Sequence, residues 1–196
     1  MKEDDFEDGI QVDDILSNNP PKKKINGNRK GKSVERNLCK LLNDFFGQDA
    51  NFSRSVGSGN RWSQANLSDQ AKQVYSGDIC VPEGFKWVIE SKGGYEDDMD
   101  FSNAVDGSLP QLNKFIEQVN RDAEFTGRNP IICWKRNRKQ WLSFVKFEHF
   151  LKMGVEKHFS CYLYYTTEKN ESWVAVPLEK LLAVSQNSDW FKDSKS

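Results

Sequence analysis

The sequence predicts an α/β domain in which helices flank a mixed central sheet, preceded by a charged tail. Three stretches carry that expectation. Val34, Leu38, Leu41, Leu42 and Phe45 recur at helical spacing. Between Asp78 and Lys92, two short apolar runs flank a Pro82-Glu83-Gly84 turn. A second helical stripe, Leu112, Phe115, Ile116 and Val119, is followed by the compact apolar run Pro130-Ile131-Ile132-Cys133-Trp134, which suits a central strand.

At 196 residues the chain is long enough for one domain with short extensions. With 37% hydrophobic and 29% charged residues, the folded part must be smaller than the chain. The net charge of -1 sums segments of opposite sign. Residues 1–16 carry seven acids against Lys2 alone, and residues 17–32 carry six lysines and arginines with no acid. Residues 1–31 lack periodic apolar positions and read as a disordered charged tail, leaving 32–190 as the folded domain. The basic half of the tail could contact phosphate and the acidic half could fold back over a basic groove. A solvated tail with no specific role explains the same composition.

Cys39, Cys80, Cys133 and Cys161 show no CxxC spacing, and His149 and His158 are the two histidines, so neither a zinc site nor an HNH-type nuclease is expected. Three of the cysteines lie in apolar runs, where a buried free thiol is the ordinary expectation. No secretory segment and no membrane-length apolar stretch appears, and an intracellular soluble protein with no membrane partner is expected.

In chain order, Ser33 is a good N-cap for a helix running to about Phe46, with Gly47 as its stop and Glu35 at the edge of its apolar stripe. A first-turn acid favoured by the helix dipole accounts for Glu35 equally well. Residues 51–76 are rich in Ser, Asn, Gly and Gln, with Arg54, Arg61, Trp62 and Lys72 interspersed; a loop of this length is either functional or a mobile surface segment. The 78–92 stretch then reads as a β-hairpin. Alternation would put Trp87 and Ile89 on one face and Lys86, Val88, Glu90 and Lys92 on the other, with Asp78 converging on Glu90 and Lys92 as a charged cluster on a half-buried sheet. A second helix is expected from about Leu109 to Phe125, with Gly127 beyond its end, and strands at 130–134 and 141–147 flank a basic turn at 135–139. Residues 147–153 suggest a short helix and 161–165 an aromatic strand, and the run 173–176 precedes a helix that Pro177 would start, with Leu178, Leu181 and Leu182 apolar. Trp190 and Phe191 either pack back or engage a partner.

Two carboxylates about 4 Å apart repel by roughly 4 kcal/mol at an effective dielectric of about 20, so they need a cation or a shared proton. Mg²⁺ suits one or two carboxylates plus substrate phosphate. Lys92, on the same strand face as Glu90, could position a water or stabilise charge developing on phosphorus. On spacing alone, an exposed Asp and a surface Glu/Lys pair explain the string as well.

Asp78 followed by Glu90-Ser91-Lys92 resembles the metal-binding core of the PD-(D/E)xK nuclease superfamily, with Gly77 where the superfamily's name has Pro. Gly31-Lys32-Ser33-Val34-Glu35-Arg36 is similar to the opening helix of the archaeal-type Holliday junction resolvases, and Arg54-Ser55-Val56-Gly57-Ser58-Gly59 to their DNA-touching loop. The likeness covers about residues 31–147, with 148–190 as a C-terminal elaboration. It implies a restriction-endonuclease-like core and hydrolysis of a DNA phosphodiester. Asp78, Glu90 and the Ser91 carbonyl would hold Mg²⁺, with Mn²⁺ as a substitute; Glu35 would ligate the ion or a bound water, and Lys92 would position the nucleophile. Gln111 would line the site. Arg54, Ser55, Ser58, Arg61, Lys32, Arg36, Lys135 and Arg136 would contact DNA. The substrate implied is branched, and paired cuts across a four-way junction imply a C2 homodimer. A nuclease of the same superfamily acting on linear or damaged duplex, and a non-catalytic DNA-binding protein keeping the fold, are the alternatives.

Overall fold

A computed structural model describes residues 27–55, 76–95, 98–100, 102–105 and 109–192. The expected tail up to residue 26 and most of the polar loop, with Ser58 and Arg61, lie outside the described residues. Helix α1 spans Gly27–Phe46, starting before the expected cap at Ser33. Arg29, Lys30 and Lys32 are good helix formers and no proline lies between Pro21 and Ser33, so no proline stops the helix from extending backwards through Gly31. Leu38 and Leu42 are buried as the stripe requires, but Phe45 is 46% exposed. Phe46 takes the last core position instead, meeting the rings of Phe85, Trp190 and Phe191 edge-on.

A short ribbon follows, in which β1 (Ser53–Arg54) pairs antiparallel with β2 (Ile79–Cys80). Asn43 of α1 fastens its start: the side-chain amide donates to the Phe52 carbonyl at 2.9 Å and its oxygen accepts the Phe52 amide at 2.8 Å. The main sheet holds β3 (Trp87–Gly93), β4 (Asn129–Lys135), β5 (Trp141–Lys146), β6 (Leu163–Thr166) and β7 (Ser172–Pro177) in the order β3-β4-β5-β7-β6. The β3 and β4 pair is parallel and the others are antiparallel, so the sheet is mixed as expected. Residues beyond 147 supply two of its five strands, which makes them part of the same domain.

Of the remaining helices, α2 is Ser102–Val105 and α3 is Pro110–Thr126, which ends at left-handed Gly127 (φ 66°). The short helices α4 (Phe147–Lys152), α5 (Leu178–Val184) and α6 (Asn187–Trp190) complete the chain. Alternation along β4 divides the core. Ile131 and Cys133 face the layer containing α1 residues Leu38 and Leu42, while Ile132 and Trp134 face the layer containing α3 residues Leu112, Phe115, Ile116 and Val119. Among the described residues no helix is long and apolar enough to cross a membrane.

The expected 78–92 hairpin does not form. The turn itself closes, with the Phe85 amide donating to the Pro82 carbonyl at 3.2 Å, but β2 ladders with β1 and not with β3. The backbone beside residues 84–86 is taken by the C-terminal segment: the Lys86 amide donates to the Trp190 carbonyl at 2.7 Å, the Lys192 amide donates to the Gly84 carbonyl at 2.8 Å, and Phe85 bridges to Phe191. Nor is the sheet half-buried at this strand. Helices cover both faces of β3, as is usual for a strand in parallel pairing, and Glu90 has 0% exposure.

Candidate active site

Gly77 sits at φ +79°, and a Cβ there would lie 2.7 Å from the Ile89 carbonyl oxygen. Proline, held near φ -65°, could not adopt this backbone, so the departure from the superfamily's Pro-Asp has a steric cause. Gly77→Ala is expected to cost about 1–3 kcal/mol of stability, read as a lower midpoint in urea denaturation. The close approach delivers Asp78 to β3, where its amide donates to the Ile89 carbonyl at 2.9 Å and its Oδ2 accepts the Ser91 amide at 2.8 Å. Along a strand, residues two apart present their amide and carbonyl to the same edge. The Ser91 carbonyl therefore points to the edge occupied by the Asp78 carboxyl.

Glu90 lies between this edge and α3. Its Oε1 accepts from Lys92 Nζ, and its buried Oε2 has no donor. Burial pushes its carboxyl well above the ordinary 4.5, the neighbouring Asp78 carboxyl pushes it further, and Lys92 opposes both. Lys92 Nζ also reaches Gln118 Oε1 at 3.5 Å and lies 4.9 Å from the centre of the Phe115 ring. Burial alone would depress its amine, but Glu90 and Asp78 outweigh that and hold it above the usual 10.5. Two carboxyls and one ammonium thus meet in a site from which water is largely excluded.

Glu35 is 9% exposed and pairs with Arg54 Nε. Its turn of α1 overlies the end of β3, because Gly93 offers no Cβ to collide with Val34. Among the described residues no three Asp, Glu, His or Cys groups are gathered closely enough to hold an ion, so Glu35 does not join Asp78 and Glu90. It stands one chain segment away, through Arg54 and the buried Ser55, whose amide donates to the Asp78 carbonyl at 3.0 Å. Burial, followed by Glu35, pushes the Cys39 thiol up to about 11, which leaves it a buried, unreactive group beside the site.

Lys32 and Arg36 are exposed on α1. Lys135 Nζ donates to the Lys139 carbonyl at 2.6 Å, and the Arg136 guanidinium lies 5.7 Å from the centre of the Trp134 ring with its Nε buried and unpartnered. In the ladder Lys92 stands opposite Trp134 and Gly93 opposite Lys135, so these two basic residues lie at the same end of the parallel pair as the site. Ligands in α/β sheets bind beyond the carboxyl ends of such strands. Gln111 is half-buried in the first turn of α3, whereas the glutamine that meets Lys92 is Gln118, seven residues further along the same helix face. Sequence reasoning missed Gln118 and the second role of Phe115. The signal available was their helical phase relative to Gln111.

A family model described as "Phage putative PDDEXK endonuclease" matches residues 26–192. No curated protein and no solved structure matches the chain. The match runs from the start of α1 through α6, and so includes Asp78, Glu90, Ser91 and Lys92 as well as the strands beyond residue 147. With a mixed sheet flanked by helices and an Asp…Glu-x-Lys constellation assembled on β3, the chain belongs to the phage PDDEXK endonuclease family.

Proposed function

We propose that this chain is a metal-dependent, structure-selective DNA endonuclease that hydrolyses phosphodiesters at four-way (Holliday) junctions or other branched DNA. The observation that carries the proposal is the meeting of the Asp78 carboxyl, at the edge of β3, with the Glu90 carboxyl and the Lys92 ammonium on its α3 face. An all-oxygen donor set with one buried carboxylate oxygen lacking a donor suits a hard divalent cation. Asp78, Glu90 and the Ser91 carbonyl would hold it, with Mg²⁺ the expected ion and Mn²⁺ a substitute. Such an ion supplies a Lewis acid for the phosphoryl oxygen and lowers the pKa of a bound water.

The chain's own groups do the rest. Lys92, held by Glu90 and cushioned on Phe115, donates hydrogen bonds to the attacking water or to a phosphoryl oxygen and offsets charge gathering on phosphorus. Gln118 orients its amine. Glu35 completes the acidic set, directly or through a water, on exchanging its pairing with Arg54. Gln111 lines the approach along α3. Lys32 and Arg36 on α1, and Lys135 and Arg136 at the end of β4, contact phosphates, joined by Arg54 of β1 and by Ser55, Ser58 and Arg61 after it. Paired cuts require two such sites in fixed relation, hence a C2 homodimer.

Three measurements test this. Titrated Mg²⁺ is expected to raise the Tm of the unaltered protein at neutral pH and to leave that of Asp78→Asn unmoved, because a ligand bound to the folded state alone stabilises it. Cleavage of a four-way junction is then compared with cleavage of a linear duplex of the same sequence. Paired nicks at the branch, lost in Asp78→Asn, are expected. Preferential duplex cutting would move the assignment to restriction or repair, and binding without cutting would make the fold a non-catalytic one. A strict monomer in sedimentation at working concentration would count against paired resolution.

A further inference from the structure

We propose that Tyr95 is a stacking platform for an unpaired nucleobase beside the scissile phosphate, so that the site favours DNA whose bases are already unstacked where it is cut. This rests on the nuclease reading above and adds to it the residue that would select the substrate. Tyr95 follows Lys92 by three positions, and both groups rest on one ring. Lys92 Nζ lies 4.9 Å from the centre of Phe115, and the Tyr95 ring meets Phe115 at 5.2 Å with the planes at 73°. A nucleotide whose phosphate reached the ammonium would bring its base towards the phenol.

The backbone at this position needs a reason. Gly94 (φ 84°) and Tyr95 (φ 62°) are consecutive left-handed residues that turn the chain off the end of β3. Glycine or asparagine meets that demand readily, and a bulky aromatic is uncommon there. The turn therefore does not explain the side chain. Burial does not explain it either, since Tyr95 remains 43% exposed despite its contact with Phe115. Yet the backbone that carries the ring is held on both sides, and the ring itself rests against Phe115. The Gly94 amide donates to the Lys135 carbonyl at 3.2 Å, Trp134 Nε1 donates to the Gly94 carbonyl, and the amide of fully buried Met99 donates to the Tyr95 carbonyl at 2.8 Å.

A fixed, half-open aromatic beside an ammonium is the arrangement by which proteins take up single bases, whose π faces are accessible only when unpaired. Unstacking is costly in intact duplex and least costly at a damaged, mismatched or already open position. A platform of this kind thus separates branched from continuous DNA without reading sequence.

The test uses the full chain and four-way junctions carrying 2-aminopurine, or an abasic nucleotide, at each position around the branch. Bound in metal-free buffer, the unaltered protein is expected to quench 2-aminopurine at one flanking position, and Tyr95→Asn to leave that position bright. In cleavage, Tyr95→Asn and Tyr95→Ala are expected to lower kcat/KM about 5- to 100-fold, chiefly through KM, with Tyr95→Phe close to the unaltered protein. An abasic nucleotide at the quenched position should impose a similar loss on the unaltered protein and none on Tyr95→Asn. Because asparagine tolerates the left-handed backbone, Tyr95→Asn should keep the Tm, separating a lost contact from a lost fold. Junction cutting with no Tyr95-dependent quenching, or an equal abasic penalty in both proteins, would overturn the platform and leave the nuclease standing. Tyr95-dependent quenching without any cutting would do the reverse.

Discussion

Lys92→Met is expected to lower cleavage by roughly 10²- to 10³-fold, the loss typical of removing one donor aimed at developing charge, while the protein remains folded. Glu90→Gln should abolish cleavage as well, because an amide cannot share a cation with Asp78 as a carboxylate does. The two variants separate in stability. Glu90 is fully buried beside a second carboxyl, and its own carboxyl titrates well above 4.5 in the folded state. The folded protein therefore binds more protons than the unfolded chain from about pH 4.5 upward, and in metal-free buffer its stability falls as pH rises through that window towards the folded value. Glu90→Gln is expected to flatten this slope and to match or exceed the Tm of the unaltered protein near neutrality. Lys92→Met acts in the opposite sense. It removes the cation that opposes the shift, so the carboxyl titrates higher still and the slope extends further up the scale. Proton uptake by Glu90 spares that variant much of the cost of a broken buried pair. Lys92 itself, raised above 10.5, contributes through the neutral range and loses that contribution as pH rises from about 10.5 through its folded value. Thermal melts from acid to neutral pH check both signs, and a Glu90→Gln slope as steep as that of the unaltered protein would contradict the assignment of the titrating group.

The largest effect on stability is expected far along the chain, at Trp190. Its side chain is 2% exposed, stacks on Phe85 at 6.1 Å and 17°, and meets Phe46 and Trp87 at 5.8 and 5.6 Å. Around it, Trp87 Nε1 donates to the Asp189 carbonyl at 2.8 Å and the Lys86 amide to the Trp190 carbonyl. Trp190→Ala removes the shared neighbour of α1, the 82–85 turn and the entry to β3, and is expected to cost about 3–5 kcal/mol in urea denaturation. Leu151→Ala, at a side chain 47% exposed, should stay within about 0.5 kcal/mol and serves as the control. Loss at Trp190 also frees the start of the strand that carries Glu90 and Lys92, so cleavage should decline before global unfolding does.

Much of this architecture was legible in the chain, because apolar periodicity records which side of an element leaves water. The stripe at Leu38 and Leu42, the second at Leu112 to Val119, the run at 130–134 and the stop at Gly127 appear where their spacing puts them, and the run at 141–147 does so except for Phe147, which begins α4. Alternation also separated Trp87 and Ile89 from Val88, Glu90 and Lys92, the division on which the site depends. Periodicity names a face and not a neighbour. Whether β2 or the C-terminal segment would lie beside residues 84–86 was a competition between backbone partners some 100 positions apart, won by 190–192. The pairing of Glu35 with Arg54, and the approach of Gln118 rather than Gln111 to Lys92, depend likewise on where α1 and α3 settle against the sheet. Chemical identity and local spacing chose the acidic pair and the amine; packing between distant segments set what each of them touches, since contact energies depend on three-dimensional neighbours that a linear pattern does not encode.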